Sequence, residues 1–145
     1  MMDYEEYDPD YKKEIINTIQ ELSPFWSLIG MELIDVKRGW ARVRLPFAKK
    51  LTNAMGTAHG AALFAPVDSA VGVALYGLTD ESETFTTVEV KVNYLKAVSE
   101  GEIIAEARIT HKGSTIALGE VEVRNGAGEL IIKGMVTYMI LKRRN

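Results

Sequence analysis

Gly60-Ala61-Ala62-Leu63-Phe64-Ala65-Pro66-Val67-Asp68-Ser69-Ala70-Val71-Gly72-Val73-Ala74-Leu75-Tyr76-Gly77-Leu78 is the stretch whose reading decides the fold. Leu63, Val67, Ala70, Val71, Ala74, Leu75 and Leu78 recur at helical spacing. The other faces carry Ala61, Ala62, Ala65, Gly72 and Val73, so the helix is apolar all round and is expected to be buried all round. The stretch approaches the length of a membrane span. Pro66, Asp68 and Ser69 near its middle, and the lack of close basic flanks, favour a core helix of a soluble domain. Pro66 removes one helical hydrogen bond and is expected to kink the rod.

Working outward, Asp8-Pro9 is a helix start, with Asp as N-cap and Pro at the first helical position. Ile15, Ile16, Ile19 and Leu22 then share one face until Ser23-Pro24 stops the helix. Phe25 to Ile29 reads as an apolar link closed by Gly30. Two short alternating strands follow, Ile34/Val36 and Ala41/Val43/Leu45, joined at Lys37-Arg38-Gly39 and ended by Pro46. Leu51 to Ala58 reads as a loop. Beyond the long helix, four strands alternate: one through Val88, Val90, Val92 and Tyr94, one through Ile103 to Ile109, one through Ala117 to Val123, and one through Leu130 to Ile140. The last two are joined at Asn125-Gly126-Ala127-Gly128, a hairpin signal. The order of helix, two strands, long helix and four strands predicts an α+β domain whose mainly antiparallel sheet wraps the long helix.

The 145 residues fit one domain spanning 1–145, with residues 1–10 expected to be a flexible lead-in. With 17 basic and 20 acidic side chains, the chain lacks the basic excess of a nucleic-acid-binding domain. It has no cysteine, which removes disulfides, thiolate metal sites and thiol nucleophiles and suits a reducing compartment. The acidic start lacks the features of a signal peptide. A cytoplasmic location is expected.

Between Thr57 and Thr79 only His59 and Asp68 ionise in the acid-to-neutral range. A buried carboxylate must be paired, protonated, hydrogen-bonded or set at the mouth of a wet cavity, and such groups often mark sites. A packing role through hydrogen bonds to local hydroxyls is the competing reading. Gly60 opens the helix, where free N–H groups and the positive dipole end can hold developing negative charge. His59 is as readily structural as catalytic, and Asn53 is as readily a turn residue as an orienting amide. With His59 and His111 as the only histidines, a histidine metal site is not expected, and no Gly-rich phosphate loop is present.

Asn53, then Gly56-Thr57-Ala58-His59-Gly60-Ala61, then Asp68 eight residues after Gly60, together resemble the hotdog-fold acyl-CoA thioesterases of the phenylacetate-pathway (PaaI-like) and thioesterase-superfamily-member-2 branch. The resemblance spans about Leu28 to Leu141. It is strongest from Asn53 to Gly72 and through Thr87-Val88-Glu89-Val90-Lys91-Val92-Asn93-Tyr94. It implies hydrolysis of aryl or medium- to long-chain acyl-CoA, without metal or cofactor. Gly60 would polarise the thioester carbonyl, and Asp68 would act as general base or nucleophile. Thr87 would orient the water, Asn53 would sit near the thioester, and His59 would position the loop. Ala61, Met55, Phe64, Asn93, Lys112 and Gly113 would contact substrate. Each site would join two subunits, so a homodimer is implied, paired into a homotetramer. Two departures stand out: Ala61 replaces the second Gly of the usual His-Gly-Gly, and Pro66 lies inside the helix. A non-catalytic acyl-CoA-binding domain and a hotdog hydratase or dehydratase are the alternatives.

Overall fold

The computed structural model describes residues 3–144. Two N-terminal helices, α1 (Pro9–Glu21) and α2 (Pro24–Ile29), precede strands β1 (Glu32–Lys37) and β2 (Trp40–Pro46). The central helix α3 (Gly60–Tyr76) is followed by β3 (Glu83–Tyr94), β4 (Glu102–Lys112), β5 (Ile116–Asn125) and β6 (Leu130–Lys142). The six strands form one sheet in the order β1-β2-β4-β5-β6-β3, antiparallel at every pair. The sheet wraps around α3, the hotdog layout that the element order implied.

Local chemistry accounts for the elements. Asp8 caps α1, its Oδ1 accepting from the N–H groups of Asp10 and Tyr11. Pro24 starts α2 in the segment read as a link, and Gly30 ends it in the left-handed region at φ 80°. The segment expected to be a loose lead-in lies against the domain. Tyr4 stacks near Trp40, the Arg38 N–H donates to the Glu5 carbonyl, and Glu6 pairs with Lys12 and Lys37. Met1 and Met2, which belonged to that expectation, lie outside the described residues.

Helix α3 sits low on the sheet because two facing sheet positions lack side chains. A Cβ at Gly119 would run into Val71, and one at Gly134 would lie 2.9 Å from Val121 and 3.2 Å from Val67. Val67 and Val71 are fully buried against this floor, with Ala41, Ala105, Ala107 and Ala117 around it. The helix runs unbroken through Pro66 and ends two residues before the expected Leu78.

The helix is not buried all round: Ala61, Phe64, Asp68, Ser69, Gly72 and Tyr76 keep exposure along one stripe. That stripe faces the side where the sheet ends at β3, whose residues are mostly exposed. No described helix is long and apolar enough to cross a membrane.

Candidate active site

Asp68 stands half-buried in the middle of the open stripe. Its Oδ1 accepts from the Thr87 hydroxyl at 3.0 Å and from the Tyr138 hydroxyl at 2.7 Å. Oδ2 has no protein partner among the described residues and is open to solvent. The carboxylate is therefore held by one oxygen and presents the other.

Thr87 and Tyr138 are cross-strand partners on β3 and β6, so their side chains leave the sheet on the same face, toward α3. This depends on a β-bulge. The register slips between Thr87 and Glu89, leaving Val88 unopposed and 55% exposed. The inner row of β3 thus reads Phe85 and Thr87 before the bulge, then Val90 and Val92 after it. The alternation read from the sequence put Val88 inside. The extra residue inverts the parity and brings the Thr87 hydroxyl, rather than Val88, to the carboxylate.

Tyr138 is the site residue that the sequence reading missed. It sits 4% exposed on β6, seventy positions from Asp68, and looks like an ordinary buried aromatic in an alternating strand. Its hydroxyl also lies 2.7 Å from the Asp68 carbonyl, and its ring meets Phe85 edge-on. Burial first, and the neighbouring Asp68 charge second, push the phenol above the usual tyrosine range, so it remains a neutral donor.

At the other end of the stripe the helix opens with a specific pattern of satisfied and free donors. The His59 N–H reaches the Leu51 carbonyl, and the His59 Nδ1 accepts from the Ala61 N–H at 3.0 Å. The His59 carbonyl accepts from Ala62 and Leu63. Of the N–H groups from His59 to Leu63, only that of Gly60 lacks a partner among the described residues. His59 is thus the N-cap, and Gly60 carries the available donor at the positive end of the helix. The Tyr94 hydroxyl donates to the Gly60 carbonyl at 2.9 Å and braces this end against β3.

The remaining sequence candidates divide. Asn53 closes the preceding loop: its Oδ1 accepts from Met55 and Thr57 N–H groups, and its Nδ2 donates to the Thr57 hydroxyl. Met55 stands 83% exposed at the loop tip. Ala61 and Phe64 lie on the stripe between the two centres, and Asn93 is exposed on β3 beside Tyr94. Lys112 and Gly113 lie at the opposite end of the sheet from Gly60. Lys112 forms a 3.1 Å ion pair with buried Glu83, which also binds Lys142, and the Gly113 N–H closes the β4–β5 turn on Ile116. Of the other basic side chains, Lys96 and Arg108 pair with Glu129 and Glu120, while Lys91 has no ion-pair partner among the described residues.

Within one chain, Asp68 and Gly60 do not meet. Eight residues of helix separate them, about 12 Å of rise. The arrangement offers a carboxylate oxygen and a helix-terminal N–H without protein partners among the described residues, on two separate stations.

A family model for the thioesterase superfamily matches residues 55–132. The acyl-coenzyme A thioesterase 13 of Pongo abelii is 27% identical over 128 residues, covering 86% of this chain and 91% of that protein. A 1,4-dihydroxy-2-naphthoyl-CoA hydrolase of Listeria monocytogenes is 23% identical over 116 residues, covering 80% and 94%. Among solved structures, a conserved protein of Pseudomonas aeruginosa is 36% identical with a TM-score of 0.80, covering 85% of this chain and 98% of that one.

Proposed function

This chain belongs to the thioesterase superfamily, and from that premise we propose that it hydrolyses acyl-coenzyme A thioesters to the free acid and CoA, working as a homodimer. The observation that carries the reading is the Asp68 carboxylate, held at Oδ1 by two hydroxyls and open at Oδ2, on a helix whose first free donor is the Gly60 N–H. Two relatives whose names specify CoA-thioester hydrolysis support the substrate class. An aryl or a medium- to long-chain acyl group fits this proposal equally.

In the proposed reaction, Oδ2 of Asp68 takes a proton from water as the water oxygen adds to the thioester carbonyl carbon. The charge that develops on the carbonyl oxygen is met by a helix-terminal N–H. Collapse of the adduct breaks the C–S bond, and the CoA sulfur leaves and takes a proton. If Oδ2 instead attacks the carbon itself, the C–S bond breaks, the CoA thiolate leaves and an acyl-aspartyl anhydride forms, which water then cleaves to the free acid and the Asp68 carboxylate. Both routes use the same two stations and need only side chains, backbone and water.

The separation of those stations is the reason for the dimer. Strand β3 is a sheet edge of twelve residues with one side unpaired, next to exposed Val88, Tyr94, Leu95 and Tyr76. A long exposed edge of this kind is a template for pairing. Two β3 strands pairing antiparallel about a two-fold through Lys91 set Val90 opposite Val92 of the partner subunit and, with the bulge at Val88 counted as one position, Thr87 opposite Tyr94 of the partner subunit. Because Tyr94 braces Gly60, and Thr87 braces Asp68, this register brings Gly60 of the partner subunit toward Asp68. A pairing of such dimers and a cytoplasmic setting complete the proposal.

Asp68→Asn tests it, assayed against octanoyl-CoA and benzoyl-CoA. The expected loss is about 10²- to 10⁴-fold in kcat with the fold intact by circular dichroism. Near-full hydrolysis by the folded variant refutes the role of Asp68. Tight retention of acyl-CoA by the wild type, without turnover, would point to a binding domain instead.

A further inference from the structure

Resting on the reading of Asp68 as the acting carboxylate, we propose that Tyr138 is a positioning residue, with Gly72 as its enabling partner, and that together they select Oδ2 of Asp68 as the oxygen that acts on substrate. Three features carry this. The Tyr138 hydroxyl reaches both Oδ1 and the backbone carbonyl of Asp68 at 2.7 Å, so one group from β6 fixes the side chain and the main chain of the same helical residue. The hydroxyl has a single proton, which it directs to these two acceptors. With Thr87 donating to the same oxygen, Oδ1 is occupied by two donors while Oδ2 has none among the described residues.

Gly72, one helical turn after Asp68, makes the arrangement sterically feasible. A Cβ at this position would lie 3.0 Å from the Tyr138 oxygen but 3.7 Å from its Cζ. The first distance is tighter than an ordinary contact, so the hydroxyl would have to give by a few tenths of an ångström, and the second is ordinary contact. A glycine in a helix interior costs about 1 kcal/mol relative to alanine, so its presence here accords with a need for that space. The buried phenol remains un-ionised and keeps its proton for the carboxylate.

Substituting Tyr138→Phe removes only the oxygen and leaves the ring against Phe85. Measured on octanoyl-CoA and benzoyl-CoA, kcat is expected to fall about ten- to a hundredfold, the loss typical of one hydrogen bond to a charged group, with KM within about twofold. In the Asp68→Asn background the same substitution should leave the residual rate unchanged. Gly72→Ala should lower kcat similarly in the wild type by displacing the hydroxyl, yet add nothing once Tyr138 is Phe. An unchanged kcat in Tyr138→Phe overturns the proposal, as does a full additional loss from Gly72→Ala in the Phe background. A wild-type protein inactive on both substrates would overturn the thioesterase reading itself, and an active Asp68→Asn would overturn the role of Asp68 on which the Tyr138 proposal rests. An active wild type, a dead Asp68→Asn and an undiminished Tyr138→Phe would remove the Tyr138 role alone.

Discussion

The hydroxyl of Thr87 donates to Oδ1 of Asp68 at 3.0 Å, and it does so from the residue immediately before a β-bulge. The bulge turns Val88 outward and Thr87 inward, so the bond depends on strand irregularity as much as on residue type. Thr87→Val keeps the shape and removes the donor. Its kcat on acyl-CoA is expected to fall about tenfold, while Thr87→Ser keeps most of the rate. Steady-state kinetics of both variants check this. Equal rates for Val and Ser would show that the hydroxyl does not matter.

The close seat of α3 on the sheet gives a stability prediction separate from chemistry. Gly119→Ala puts a methyl into the space of buried Val71 and 3.2 Å from the Arg108 carbonyl. Overpacking of this kind is expected to destabilise by about 1–3 kcal/mol, read as a lowered midpoint in urea unfolding. Val71→Ala in the same chain opens the space and should recover part of the loss. An unaffected midpoint in the single variant would mean that the helix is free to lift.

The buried Glu83 carboxylate makes stability depend on acid pH. Its ion pair with Lys112, then the Asp80 N–H, and then Lys142 hold it below the usual carboxylate range. A lowered folded-state value means that the contribution is fully present above the unfolded value, near 4.3, and is lost as pH falls through the folded one. Wild type should therefore lose more of its unfolding midpoint between about pH 5 and pH 3 than Glu83→Gln, which starts lower. Parallel curves for the two proteins would contradict this.

Much of the architecture was legible because its signals are local. Helical periodicity located α3, alternation located the strands, and Asp8-Pro9 and Asn125-Gly126-Ala127-Gly128 marked a start and a turn. Asp68 was conspicuous because it is the lone carboxylate in an apolar helix, Gly60 because it opens that helix, and Thr87 came with the resemblance. What escaped depends on tertiary register. Tyr138 reaches Asp68 only because β6 pairs with β3 at Thr87, and nothing in its strand distinguishes it from a packing aromatic. The Val88 bulge has no signature in its apolar-polar alternation. Lys112 reads as a free cation until the β4–β5 turn brings it to Glu83. The open stripe on α3 was hidden because alanine, glycine and phenylalanine suit a core and an interface alike.

Mixing two inactive variants tests most directly the proposal that each site takes its carboxylate from one subunit and its oxyanion donor from the other. Asp68→Asn removes the base. Gly60→Pro removes the free N–H while suiting the first helical position: His59 is already extended at φ −62° and ψ 139°, and a Cβ at residue 60 meets nothing closer than 3.6 Å. Each variant alone should be nearly inactive toward octanoyl-CoA. In a mixed dimer one site combines both defects, and the other pairs an intact Asp68 with an intact Gly60. Co-refolding equal amounts should therefore restore about one quarter of wild-type activity, since half the dimers are mixed and each holds one good site. Activity no higher than that of the separate variants, with mixed dimers present, would mean that the two groups do not meet across subunits.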